Sequence, residues 1–286
     1  HPLRRVGVAE VPATRFRVVT DSTADVPPAW CERFGITVVP LQVQFGEESF
    51  RDGVDLTNEQ FFDRLRRADR LPTTAAPSPG AFAEVYRRMS GECDGVISVH
   101  ISTTLSGTAE AARLGAESVP DFPVHVVDSR SLTMCMAFLC RVAAEAPTLE
   151  EALTRVRERV PRLRILALLD TLRYVEMGGR VTRAQAMIGT MLDLKPILVM
   201  SDGEIKGADR VRTRARALPR LFELLRRELP VESLAVMHAQ ADEEAERMRA
   251  QLAAELPDLE IDIGQTGAVL GTHVGPGSVG LTFVKS

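Results

Sequence analysis

The segment Ile101-Ser-Thr-Thr-Leu-Ser-Gly-Thr108 gathers five hydroxyls and a glycine into one short stretch. An apolar run, Val96-Ile-Ser-Val-His100, leads into it, and a good helix sequence, Ala109-Glu-Ala-Ala-Arg-Leu114, follows. A strand therefore ends among hydroxyls at the point where a helix begins. The first turn of a helix exposes unpaired N–H groups and about half a positive charge, so it holds anions. Ser102, Thr103, Thr104, Ser106 and Thr108 add side-chain donors there. A helix cap needs one hydroxyl; this many read either as an ordinary cap or as an anion site.

Other segments carry chemistry of their own. Asp21-Ser-Thr23 follows the apolar run Arg17-Val-Val-Thr20, where open parallel sheets place ligand-contacting loops. Asp21 reads as a phosphotransfer aspartate or as a turn residue that caps local N–H groups; the second carboxylate and the lysine that phosphotransfer needs are not evident nearby. Leu71-Pro-Thr-Thr-Ala-Ala-Pro-Ser-Pro-Gly80 reads as a rigid polar loop whose prolines hold Thr73 and Thr74 in fixed orientation. That suits a ligand site and equally a plain connector. His273 falls in Gly271-Thr-His-Val-Gly-Pro-Gly-Ser278, a glycine-rich loop between two apolar runs, where backbone can approach a ligand closely. A Ser-His-Asp hydrolase assembled from Asp21, Ser22 and His273 lacks the G-x-S-x-G elbow. Gly178-Gly-Arg180 reads as a helix end followed by a charge. Arg210, Arg212, Arg214 and Arg216 alternate like a phosphate-tracking row or a docking face for an acidic partner.

The elements that must position these residues follow from periodicity and caps. Pro27-Pro28 opens a helix that Gly35 closes, and Ile36 to Phe45 alternates around Pro40 as an edge strand. Thr57-Asn-Glu-Gln60 is a capping box ahead of Phe61-Phe62, Ser78-Pro79 starts a helix, and Thr148 caps another. Strands 96–101 and 124–127 alternate with helices 106–117 and 131–145, the rhythm of a parallel sheet flanked by helices. After Arg164 the rhythm changes, and Ser201-Asp-Gly203 marks a hairpin. The reading is an α/β fold with two domains: residues 16–160 form a parallel-sheet α/β domain and residues 161–286 an α+β domain. The residues before Phe16 read as a tail outside the fold.

The chain has 286 residues, is 45% hydrophobic and 26% charged, and is therefore globular. A net charge of −4 gives no drive towards nucleic acid or anionic membranes. No run is long and apolar enough for a span, and no signal peptide is visible. Cys31, Cys93, Cys135 and Cys140 show neither metal nor CxxC spacing, which fits a reduced cytoplasmic setting without metal.

Taken in order, these motifs resemble those of the DegV family, bacterial fatty-acid-binding proteins that partner a fatty acid kinase. The matching residues are Val19-Thr-Asp-Ser-Thr23, the Thr73-Thr-x-x-Pro77 loop, Ile101 to Thr108, and Val126-Val-Asp-Ser129. Gly178-Gly-Arg180, Leu194-Lys-Pro-Ile197, Asp202-Gly203, Val211-Arg-Thr-Arg214 and His273-Val-Gly-Pro-Gly277 complete the series. The resemblance implies a fatty acid such as palmitate or oleate as ligand, with no other cofactor. It implies that Thr74 and Ser106 hydrogen-bond the carboxylate, helped by the Gly107 N–H and His273. It also implies that Arg180 and Arg212 serve a ligand-covering region and kinase docking. By the same resemblance a separate ATP-dependent kinase makes the acyl-phosphate for phospholipid synthesis, and the chain itself contacts membranes transiently. Ala75-Ala76 departs from the more usual Ser-Gln. An apolar tunnel is expected from Phe82, Leu105, Ile188, Met191 and Leu192, and a stand-alone phosphotransferase or hydrolase using Asp21 or Ser106 is the alternative.

Overall fold

Runs of β-branched residues alternating with capped amphipathic segments build the first half of the molecule. The computed structural model describes residues 16–178 and 194–286. In chain order come β1 (Phe16–Asp21), α1 (Pro28–Phe34), β2 (Ile36–Val39), β3 (Gln42–Phe45), β4 (Glu48–Arg51) and α2 (Asn58–Arg67). Then follow β5 (Thr73–Ala75), α3 (Pro79–Met89), β6 (Gly95–His100), α4 (Thr108–Ala116), β7 (Val124–Asp128), α5 (Met134–Ala144) and α6 (Leu149–Arg159). The second half runs β8 (Leu163–Leu168), α7 (Arg173–Gly178), β9 (Lys195–Ser201), β10 (Glu204–Val211), α8 (Arg214–Arg226) and β11 (Val231–His238). It ends with α9 (Asp242–Glu255), β12 (Ile261–Gln265), α10 (Ala268–Val274) and β13 (Val279–Lys285).

Strands β2-β1-β6-β7 form an all-parallel sheet, as the βα rhythm requires. A mixed six-stranded sheet has the order β10-β9-β8-β13-β11-β12, parallel only between β11 and β12. The α/β expectation with a hairpin-rich second half is therefore met. The hairpin turn sits at Asp202 and Gly203, both with positive φ (53° and 80°), the geometry that Asp-Gly favours.

Three expectations are corrected. Pro40, which cannot donate a ladder hydrogen bond, splits 36–45 into two strands; β2 edges the parallel sheet, while β3 joins a third sheet, β4-β3-β5. Thr73 and Thr74 are not loop residues: β5 pairs antiparallel with β3, with Thr74 opposite Val43. The alternating arginines form no single row, because β10 stops at Val211 and Arg214 and Arg216 turn onto α8.

The core joins the sheets. Met134 to Cys140 of α5 are all 0% exposed, the mark of a helix buried on every side. One apolar cluster runs from Val18 and Ile97 of the parallel sheet through Phe138 and Leu139 to Ile165, Met200 and Met237 of the mixed sheet. Burial pushes the thiols of Cys135 and Cys140 up to about 12, so both act as packing groups.

Candidate functional site

A cavity of about 290 Å³ lies over the inner face of the mixed sheet. Side chains alternate faces along a strand. Leu166 and Leu168 of β8 point into the core beneath α8 and α9, and Ile165 and Ala167 face the cavity. Ala167 pairs with Gly280 of β13 on one side and Leu198 of β9 on the other. The small pair Ala167 and Gly280 leaves a trough in the sheet, and Leu105 and Leu132 line it as well. Leu105 is therefore a lining residue as expected. Phe82 is not: it is fully buried in a separate cluster, stacked on Tyr86 with ring centroids 6.0 Å apart. Ile188, Met191 and Leu192 lie outside the described residues.

The cavity wall also carries polar groups from β5, from the start of α4 and from α10. Thr74, Ser106, Gly107 and His273 all line it. Thr74 Oγ1 and His273 Nε2 are 3.3 Å apart across 199 residues of sequence. His273 is in the last turn of α10, not in a loop. Gly271 misled the sequence reading: it is a packing residue, and a Cβ there would come within 2.7 Å of Phe61 and 2.9 Å of Phe62. Ser106 Oγ accepts from the Thr108 N–H at 3.2 Å and lies 2.7 Å from Thr108 Oγ1. Gly107 is the N-cap of α4 and lines the cavity, so the positive end of that helix lies next to the cavity wall.

The rest of the hydroxyl cluster is structural. Thr103 Oγ1 donates to Asp128 at 2.6 Å, Ser102 and Thr104 hydroxyls share a bond at 2.9 Å, and Thr104 Oγ1 donates to the Gly203 carbonyl at 2.5 Å. That last bond ties the segment to the β9–β10 hairpin. Asp21 is a turn residue: Oδ1 accepts from Thr23, and Oδ2 accepts from the Ile101 N–H at 3.1 Å and lies 2.9 Å from His100 Nδ1. His100 Nε2 in turn lies 2.7 Å from Ser98 Oγ. This Ser98–His100–Asp21 array has the connectivity of a hydrolytic triad, yet all three residues are 0% exposed and no substrate reaches them. Arg212 is exposed and outside the cavity lining, and Arg180 lies outside the described residues.

Sequence reasoning missed the support of α10. Asp25 Oδ1 accepts from the Gly267 N–H at 2.9 Å, and Asp52 Oδ1 accepts from the Ala268 N–H at 3.0 Å. A helix N-terminus favours such anions. Burial opposes their charge: it pushes the Asp25 carboxyl up to about 8 and also raises that of Asp52. Thr133, at φ 52°, donates from Oγ1 to Asp25 Oδ2 at 2.6 Å and also lines the cavity. Among the described residues, no group of three or more His, Cys, Asp or Glu side chains is placed to hold a metal, and no helix is long and apolar enough to cross a membrane.

The chain was compared with known proteins. The model of the DegV family matches residues 15–286. Protein DegV of Bacillus subtilis is 35% identical over 275 residues, covering 93% of this chain and 98% of that protein. The crystal structure of that DegV, a fatty acid binding protein, superposes with a TM-score of 0.86 at 34% identity over 95% of this chain and 99% of its own. A DegV family protein from Thermus thermophilus, described by its fatty acid binding, superposes with a TM-score of 0.88 at 31% identity, covering 96% of this chain and 100% of its own.

Proposed function

This chain belongs to the DegV family, and from that premise we propose that it binds a long-chain fatty acid and presents the carboxylate to an ATP-dependent fatty acid kinase. The observation that carries the reading is that Thr74, Ser106, Gly107 and His273 line one cavity whose remaining wall is mostly apolar. A fatty acid is one anion on a long apolar tail, and the cavity joins those donors to a wall made mostly of Leu, Ile, Val, Met and Ala side chains. A buried carboxylate stays charged only if hydrogen bonds replace its water. The Thr74 and Ser106 hydroxyls, the Gly107 N–H and the His273 ring would do so.

In this reading the mixed-sheet half supplies the trough floor and His273, and the parallel-sheet half supplies the carboxylate loop. The protein works in the cytoplasm, collects its ligand by transient membrane contact, and leaves phosphoryl transfer to the kinase. Arg180 and Arg212 serve the ligand cover and kinase docking. Native mass spectrometry of the purified protein, repeated after denaturing extraction, tests the ligand. A stoichiometric adduct of fatty-acid mass that is lost on denaturation supports the carrier; a bare mass that takes up neither palmitate nor oleate refutes it. Arg212→Glu is expected to keep lipid binding while stopping acyl-phosphate formation by the kinase, and unchanged kinase turnover would remove the docking role.

A further inference from the structure

The floor of the cavity holds one polar group that the carboxylate site does not use. Thr282 of β13 lines the cavity and is 0% exposed, and its Oγ1 has no hydrogen-bond partner among the described residues. Its ladder neighbours are Ile165 of β8 and Ala235 of β11. Burying a hydroxyl without a partner is unfavourable, and valine would fill the same shape without that penalty. Two other hydroxyls in the same lining are satisfied: Thr133 donates to Asp25, and Ser278 Oγ donates to the Val274 carbonyl at 2.7 Å.

Thr282 follows closely on α10 in the chain. Ser278 sits beside the last turn of α10, which carries His273, and Thr282 lies four residues further along the chain. At the rise of a strand this is ~13 Å along the chain. From this placement of an unpartnered buried hydroxyl in the wall of the apolar cavity, we infer that the preferred ligand is a hydroxylated fatty acid, its hydroxyl paired with Thr282 Oγ1. The inference rests on the fatty-acid reading above and adds the ligand's chemical class. A site built around a hydroxyl discriminates strongly against an analogue that lacks it, because its own polar group is then left unpaired.

Native mass spectrometry of the full chain, mixed with equal amounts of octadecanoic acid and a hydroxyoctadecanoic acid whose hydroxyl is moved along the chain from run to run, reads the ratio of the two complexes directly. The wild type is expected to favour the hydroxy acid. Thr282→Val should lower the hydroxy-to-plain ratio about tenfold, while Thr282→Ser, which keeps the oxygen, should hold it within about twofold. An unchanged ratio in Thr282→Val overturns the inference and leaves fatty-acid binding standing. If Thr282→Val does not fold, the wild-type competition decides alone, and a preference for plain octadecanoic acid overturns the inference. Binding of neither acid by the wild type would bring down the fatty-acid reading and this inference together.

Discussion

At the scale of single residues, two carboxylates far apart in sequence hold the helix that carries His273. Asp25 has its folded-state value raised from 3.8 to about 8, so the native state holds a proton that the unfolded chain releases. The sign follows: this contribution to stability is complete below about pH 4 and is lost as pH rises through about 8. Asp25→Asn keeps an acceptor for the Gly267 N–H and removes the charge. Urea midpoints from pH 5 to pH 8 are expected to fall in the wild type and to stay flatter in Asp25→Asn; equal slopes would show that Asp25 does not drive the trend. At the proposed carboxylate site, Thr74→Ala with Ser106→Ala should weaken fatty-acid binding by about a hundredfold or more, since hydrogen bonds to a charged group contribute about 1.5–3 kcal/mol each. Titration calorimetry with oleate reads that loss, and unchanged affinity would move the carboxylate elsewhere. The hydroxyls of 101–108 and the threonines of β5 were legible as candidates because their residue types are rare in apolar runs. Asp25 was not, because the Gly267 N–H it binds lies 242 residues away and nothing local marks the partnership.

At the scale of elements, legibility followed length and local chemistry. The capping box at Thr57 and Gln60, the Asp-Gly turn and the Ser78 cap all form as their local hydrogen bonds dictate. The three-residue strand β5 and the seven-residue helix α10 are too short to show a period. Each is set by its neighbours: β5 by the ladder with β3, and α10 by Asp25, Asp52 and the phenylalanines of α2. Gly271 is the point of closest approach in that packing. Gly271→Ala would gain a little helix propensity, yet its methyl would press on the Phe61 and Phe62 rings. Overpacking of this kind costs about 1–3 kcal/mol, so the variant should unfold at lower denaturant and bind fatty acid more weakly, because His273 moves with α10. A variant as stable as wild type would mean that the rings yield without strain.

At the scale of the whole molecule, α5 makes the two large sheets one structure. Sequence rhythm separated a parallel half from a hairpin half, and both sheets exist, but no local signal shows that a single apolar helix is shared between them. Phe138→Ala should cost about 3–5 kcal/mol and lower the midpoint of both halves together. The single tryptophan, Trp30, packs 6.1 Å from Phe138. In the wild type its fluorescence should therefore change in step with the far-ultraviolet dichroism of the whole chain; two separate transitions would show that the halves fold independently. The position of β13 has a further consequence, in time. It lies between β8 and β11 in the mixed sheet, yet it is made after the other five strands of that sheet. A chain growing on the ribosome at about 5–20 residues per second carries β8–β10 and β11–β12 as two unjoined pieces until residues 279–285 emerge. Gly280 and Thr282 thus close the cavity wall only after β8 to β12 have been made, and a nascent chain stopped short of them lacks that wall.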